Sequence, residues 1–161
     1  MERLWAPWRT AYIGKDHGGA CIFCEKLNST EDEANYVLRR GEAVFVLLNL
    51  YPYTNGHLLV APKRHVGDLA DLTGEEILEL GETTREMVAL LRKAFRPDGF
   101  NIGVNLGTIA GAGVPGHFHV HIVPRWAGDT NFMPVLGDVR VISEGLETTY
   151  RKLKAALQTG E

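Results

Sequence analysis

Gly116-His117-Phe118-His119-Val120-His121-Ile122-Val123-Pro124-Arg125 sets histidine and apolar side chains in strict alternation. Successive side chains of a strand point to opposite faces, so the pattern predicts a β-strand with Phe118, Val120 and Ile122 in a core and His117, His119 and His121 on the other face. Three imidazoles at about 7 Å intervals along one strand face suit metal binding, or transfer chemistry in which one ring is the nucleophile and the others position it. A solvated polar stripe, as in a purification tag, is the bland alternative. Tags are terminal and uninterrupted, whereas these histidines are internal and separated by bulky apolar partners, so a functional site is the better reading.

Just upstream, Asn105-Leu106-Gly107-Thr108-Ile109-Ala110-Gly111-Ala112-Gly113 supplies small residues whose backbone N–H groups can approach phosphate oxygens closely. A glycine-rich turn is usually just a turn, and its place directly before the histidines is what gives it a phosphate-binding reading. Phe100, Ile102 and Val104 alternate with Asn101, Gly103 and Asn105, which predicts another half-buried strand. Residues 43–49 and 56–62 are β-rich, and Pro52 with Asn55-Gly56 between them has turn composition, so the two segments form a hairpin. Thr73 and Glu76 make a capping box, after which Ile77, Leu80, Thr84, Met87, Val88 and Leu91 follow at helical spacing to about Phe95, ahead of Pro97. Leu146, Tyr150, Leu153 and Leu157 mark a closing helix. Residues before about Arg40 are poorly periodic and read as an extended arm and a small cysteine knuckle, with Gly14, Gly18 and Gly19 beside it. Runs of strands with one long helix between them predict an α+β fold, an antiparallel sheet with helices on one face. The division is a single domain over 1–161, with arm and knuckle at 1–40, catalytic core at 41–126 and a C-terminal segment at 127–161.

A length of 161 residues with 45% hydrophobic content is ordinary for one domain with a sizeable core. The amino terminus lacks the continuous apolar core of a signal peptide, and no later apolar run is long enough to span a bilayer, so a cytoplasmic protein is expected. Two cysteines separated by two residues agree with a reducing compartment. A formal net charge of −3 argues against holding nucleic acid by a broad basic field. A polyphosphate would instead be held locally, by backbone amides, neutral side chains and a few imidazoles. Cys21-Ile22-Phe23-Cys24 is half of a zinc site by its spacing. A redox role is less suited to a pair that follows a glycine run, and two buried free thiols are the remaining alternative.

The alternation of histidine with hydrophobic residues is the histidine-triad pattern, and the chain resembles the histidine-triad (HIT) superfamily of nucleotide hydrolases and transferases. Residues 49–65, 101–113 and 125–135, with the opening Leu4-Trp5-Ala6-Pro7-Trp8-Arg9, are similar to the branch of bacterial diadenosine-polyphosphate phosphorylases. The resemblance implies a HIT-like fold whose sheets join across a two-fold homodimer, each active site receiving residues from the partner's carboxy-terminal region. It implies that His119 is the nucleophile on the α-phosphorus, that His121 holds the phosphate, and that His57 is a fourth histidine packed against the triad. From the residues alone His57 reads equally as a satisfied core histidine. A neutral imidazole is a good nucleophile at pH 7 and its phosphoramidate is labile. Its other ring nitrogen must then donate to a fixed acceptor, which in the family is a backbone carbonyl.

The same resemblance implies ribose binding by Asn49, a residue that otherwise reads as a turn former. Trp5, Trp8, Phe45 and Leu47 could frame a purine, or be ordinary core. Trp126, Asn131 and Phe132 fit a second nucleoside or the dimer contact, and Asn105, Gly111 and Gly113 fit the polyphosphate. The family commonly has Gln and Ser or Thr immediately before the triad, where this chain has Gly113 and Val114, so the leaving-group donor is unassigned. In zinc-containing relatives the cysteine pair is completed by the counterparts of His65 and His117. That makes a closed structural site with no open position for substrate, and neither a catalytic metal nor an organic cofactor is expected. Asn105 stands where hydrolytic relatives carry a Gln, and its shorter side chain leaves room for orthophosphate beside the adenylyl group. The leading expectation is phosphorolysis of an adenine dinucleotide polyphosphate, diadenosine tetraphosphate, to ATP and ADP through a nucleotidyl-His119 intermediate. A dinucleoside polyphosphate hydrolase and a nucleoside phosphoramidase are the enzymatic alternatives. A non-catalytic nucleotide-binding or interaction module is the alternative of another class.

Overall fold

In the computed structural model, which describes residues 21–137 and 141–159, five strands form one antiparallel sheet. They are β1 (Val37–Arg40), β2 (Val44–Leu48), β3 (Leu58–Pro62), β4 (Gly99–Gly103) and β5 (Val120–Arg125), in the order β1-β2-β3-β5-β4. Four helices accompany them: α1 (Ile22–Asn28), α2 (Gly74–Phe95), α3 (Met133–Leu136) and α4 (Leu146–Gln158). The expected hairpin is the β2–β3 pair, Val46 facing Val60 across it. Every position of both strands is buried, which happens only when both faces of a sheet are covered. Val44, Val46, Leu48, Leu58, Val60 and Ile122 pack on one side with Leu80, Met87, Leu90 and Leu91 of α2 and Tyr150 and Leu153 of α4. On the other side Phe45, Leu47, Leu59 and Ala61 pack with Phe23 of α1. The long and closing helices thus share one face as expected. Helix α1, which the sequence pattern did not suggest, covers the other, and β1 and α3 were likewise not foreseen. The arm before Cys21, with Trp5 and Trp8, lies outside the described residues.

Helix α2 begins with the expected capping box, and its chain reverses at Arg96 in the left-handed region (φ 49°) ahead of Pro97. Its buried seam runs through Glu76, Leu80, Thr83, Met87, Leu90 and Leu91, and Ile77 is 48% exposed. The seam is therefore rotated by about one residue from the expected one. Glu76 can lie there because its carboxylate accepts from the Thr73 amide at 2.8 Å and from Arg64 Nε and Nη2 at 3.0 and 2.7 Å. The Arg64 guanidinium, with Thr73, holds that carboxyl below its usual range.

The histidine strand differs from expectation at its start. Ladder pairing begins at Val120, and ahead of it the Phe118 amide donates to the Val66 carbonyl at 2.6 Å. Residues 65–67 thus run against 116–118, so closely that a Cβ on Gly67 would lie 2.7 Å from the Pro115 carbonyl oxygen. The alternation survives: Phe118 and Ile122 are in the core, Val120 packs against it, and the histidines point the other way. That other side is no open cleft, because α1 lies over it and His117 and His119 are buried. Phe100 of β4 packs on the core while Ile102 and, just past the strand, Val104 are exposed, since β4 is an edge strand with no neighbour beyond it among the described residues. Among the described residues no helix is long and apolar enough to cross a membrane.

Removing the cap by Thr73→Ala is expected to cost about 1 kcal/mol, and Met87→Ala about 2–5 kcal/mol. Ile77→Ala should stay within about 0.5 kcal/mol. Chemical denaturation checks all three, and a cost for Ile77 equal to that for Met87 would contradict the rotated seam.

Candidate active site and metal centre

Cys21 caps the amino end of α1 and Cys24 lies one turn on, while His65 follows β3 and His117 precedes β5. Their ligand atoms all lie within 4.8 Å of one another. Cys21 Sγ is 3.4 Å and Cys24 Sγ 3.7 Å from His117 Nδ1, and Cys24 Sγ is 3.3 Å from His65 Nδ1. A tetrahedral zinc with ordinary Zn–S and Zn–N bonds separates sulfur from nitrogen by about 3.6 Å, so these distances fit one such ion. The tautomer fits too. His117 Nε2 lies 2.8 Å from the Pro62 carbonyl oxygen, which can only accept, so the ring hydrogen sits on Nε2 and the Nδ1 lone pair faces the thiols.

The same logic fixes the neighbouring rings. His119 Nδ1 is 2.7 Å from the His117 carbonyl oxygen and must donate to it, which leaves a lone pair on Nε2. Burial holds this imidazole below its ordinary pKa and hence neutral. Tyr53 donates its amide hydrogen to His57 Nδ1 at 3.1 Å, so His57 carries its hydrogen on Nε2 and gives it to His121 Nδ1 at 2.9 Å. His121 must then carry its own hydrogen on Nε2. That nitrogen is buried, and no group among the described residues accepts from it. Burial, and secondarily His119, push the His121 imidazole down to about 4. The His119 and His121 rings are 4.8 Å apart at 62°, and Tyr53 stacks on His121 at 6.0 Å and 11°. Side by side the site presents a nucleophilic lone pair and a hydrogen-bond donor, the two functions that attack on a phosphoryl group requires.

The other expected site residues are placed unevenly. Asn49 Oδ1 accepts from the Tyr51 amide at 2.9 Å as a turn former does, while its Nδ2 lies 3.4 Å from His57 Nδ1. Asn105 is half-buried in the loop after β4. Within that loop the Gly111 amide bonds the Thr108 carbonyl and the Ala112 amide bonds the Gly107 carbonyl, with Gly107 and Gly111 at φ 75° and 87°. Gly111 therefore serves the turn itself, and Gly113 is exposed with open space around it. Phe45 and Leu47 belong to the core under α1. Trp126 directly follows β5, five residues beyond His121 and about 16 Å along the strand direction, with its indole N–H on the Phe95 carbonyl. Asn131 caps the Met133 amide, and Phe132 is exposed. The chain does not bring Trp126 to its own histidines. Sequence reasoning missed Tyr53 and Phe23, although one sits in the predicted turn and the other inside the cysteine motif.

The HIT domain profile matches residues 29–128, and the chain belongs to the HIT family. It is 40% identical over 161 residues to AP-4-A phosphorylase of Mycobacterium tuberculosis, an alignment covering 95% of this chain and 83% of that protein. Bis(5'-nucleosyl)-tetraphosphatase [asymmetrical] of Schizosaccharomyces pombe is 40% identical over 93 residues, 58% of this chain and 50% of that one. Among solved structures, a Zn-bound histidine triad family protein from Mycobacterium smegmatis superposes with a TM-score of 0.69 at 29% identity, over 87% of this chain and 94% of that one.

The burial of His121 has a measurable consequence. His121 titrates near 6.5 when unfolded and near 4 when folded. Between these values the unfolded chain binds the extra proton, so acidification from pH 6.5 to 4 destabilises the fold and this contribution levels off below about pH 4. His121→Gln should flatten the dependence by up to one proton, at most about 1.4 kcal/mol per pH unit. Denaturation of both proteins at stepped pH tests this, and parallel curves would show that His121 titrates alike in both states.

Proposed function

We propose that this HIT-family enzyme cleaves dinucleoside polyphosphates by nucleotidyl transfer through His119, converting diadenosine tetraphosphate and orthophosphate into ATP and ADP. The observation that carries the reading is the opposed pair of tautomers, a lone pair on His119 Nε2 beside a hydrogen on His121 Nε2. His119 Nε2 attacks the α-phosphorus, the bond to the bridging oxygen breaks, and ATP leaves as an anion. The imidazole then bears positive charge, balanced through its Nδ1 hydrogen on the His117 carbonyl, while His121 donates to a non-bridging oxygen. An oxygen of orthophosphate attacks the same phosphorus, the P–N bond breaks, ADP departs and a proton passes to water. ATP leaves readily without a general acid, so Gly113 and Val114 are tolerable where the family has side-chain donors. Asn49 is assigned to the ribose, and Asn105 with the loop through Gly111 and Gly113 to the polyphosphate. Trp126, far from the histidines, is left to the dimer contact. Similarity to AP-4-A phosphorylase and the short Asn105 side chain support phosphate over water as the acceptor.

A structural zinc on Cys21, Cys24, His65 and His117 is part of this reading, supported by the donor set, its distances and the zinc-bound M. smegmatis relative. When bound, the ion would cross-link α1 to the segment that follows β3 and the segment that precedes β5. Free thiols at both cysteines suit the cytoplasm. The exposed Ile102, Val104 and Leu106 on the edge-strand side support a homodimer joined there.

Diadenosine tetraphosphate incubated with millimolar phosphate should yield ATP and ADP with little AMP, as read by nucleotide chromatography. ATP and AMP formed without phosphate would indicate a hydrolase, and turnover of phosphoramidates alone would reject the assignment. His119→Gly should abolish turnover while nucleotide affinity stays within about tenfold. Elemental analysis should find one zinc per chain, and chelation should lower the melting temperature. A metal-free protein of full stability would remove the zinc.

A further inference from the structure

Phe23 stands between the two cysteines of the knuckle, yet its side chain packs against two of the histidines. With Cys21 as N-cap, α1 holds Cys21 and Cys24 one turn apart and turns Phe23 about 100° away from Cys24, toward the sheet. Phe23 is 2% exposed, against 36% for Ile22. Its ring centroid lies 4.9 Å from that of His117 and 4.9 Å from that of His119, tilted by 31° and 33°. Behind it Phe45 packs edge-on at 6.3 Å and 80°, so the ring cannot retreat without disturbing the core.

The Nδ1 bond to the His117 carbonyl fixes the tautomer of His119 but leaves the ring able to pivot about that contact. A flat wall against the imidazole removes that freedom, as in-line attack requires, since misplacement of a reacting atom by about 1 Å can cost two orders of magnitude in rate. Both restraints belong to the cysteine-histidine cluster. The carbonyl is that of His117, whose Nδ1 faces both thiols, and the wall is the residue next to Cys24. We propose that Phe23 is a positioning residue that transmits the geometry of the Cys21, Cys24, His65 and His117 cluster to the nucleophilic nitrogen of His119. This rests on the reading of His119 as nucleophile.

The test combines kinetics with ring-nitrogen NMR on the metal-loaded protein. Phe23→Ala should keep its metal and lower kcat by about 10- to 100-fold, with KM changed less than about threefold, and Phe23→Leu, which restores volume without a flat ring, should recover part of the loss. In the unaltered protein His119 should show one neutral tautomer with its hydrogen on Nδ1. Phe23→Ala should average or shift those signals, and chelation of the unaltered protein should move them in the same direction. Unchanged His119 signals in Phe23→Ala, or a kcat within twofold of normal, overturn the proposal, and so does an effect confined to KM. Signals that respond to Phe23→Ala but not to chelation overturn the link to the cluster. If Phe23→Ala does not fold, Phe23→Leu is read the same way with a smaller expected shift, and unchanged signals again overturn it. Retained turnover in His119→Gly would sink the nucleophile reading instead, while the ring spectra still report on Phe23.

Discussion

The hydrogen bond from His119 Nδ1 to the carbonyl oxygen of His117 joins two residues of one short segment, and the chemistry of the site depends on which nitrogen it claims. A neutral imidazole has one donor and one acceptor, and burying either without a partner costs roughly 1–3 kcal/mol. Four imidazoles lie close together on one side of the sheet, three of them buried, so the fold has to assign every ring hydrogen. It does so with groups that cannot reverse their role. The Pro62 and His117 carbonyls can only accept, and the Tyr53 amide can only donate. The assignments leave His119 Nε2 as a lone pair and His121 Nε2 as a donor. The donor and acceptor polarity of these rings is thus written by the backbone.

The backbone can do this because the histidine segment is only partly a strand. From Val120 onward its carbonyls and amides belong to a ladder with β3 and β4. Before that point residues 65–67 take over through the Val66–Phe118 bond, and the His117 carbonyl is turned to an imidazole. The β3–β5 register, with Leu58 opposite Ile122 and Leu59 opposite His121, delivers His57 to the side of His121. Arg64, the neighbour of His65, is clamped by Glu76 and the Asp71 carbonyl at the start of α2. The capping network that starts the long helix therefore also steadies the segment carrying His65.

Period and punctuation in the sequence carried most of this architecture. The hairpin was legible from β-rich runs around Pro52 and Asn55-Gly56, and α2 from a capping box and a long apolar stripe, because these signals arise from local backbone geometry. What escaped was short or decided by tertiary contact. Helix α1 has seven residues and no side-chain cap, so nothing local announces it, and its stability comes from Phe23 in the core and from Arg40, whose guanidinium caps the Lys26, Leu27 and Ser29 carbonyls. β1 ends in Arg39-Arg40 and is four residues long, below the length at which alternation is informative. The displacement of Ile77 by Glu76 on the buried seam depends on Arg64, twelve positions away, and no helical periodicity encodes that. The histidine alternation and the cysteine spacing marked side chains that the structure brings together. The tautomer relay was not legible, since its anchor is the main-chain amide of Tyr53, which carries no side-chain signature.

The period of two also explains how the cysteine-histidine cluster and the His119–His121 pair can share one segment without merging. Alternate residues keep Phe118 and Ile122 in the core and place three imidazoles on the opposite face, each about 7 Å from the next along the chain. The His119 and His121 rings lie 4.8 Å apart, yet at that spacing a single ion cannot collect all three. His117 turns its Nδ1 to the cysteines and His121 is tied to His57, while His119 between them bonds only the main chain through its Nδ1. A slip of one residue in this register would exchange the faces and bury the histidines among Leu58, Val60 and Met87. The apolar residues between the histidines therefore act on the chemistry indirectly. Their burial against α2 holds the register, and the register decides which imidazole meets the thiols, which meets His57, and which keeps a lone pair on Nε2.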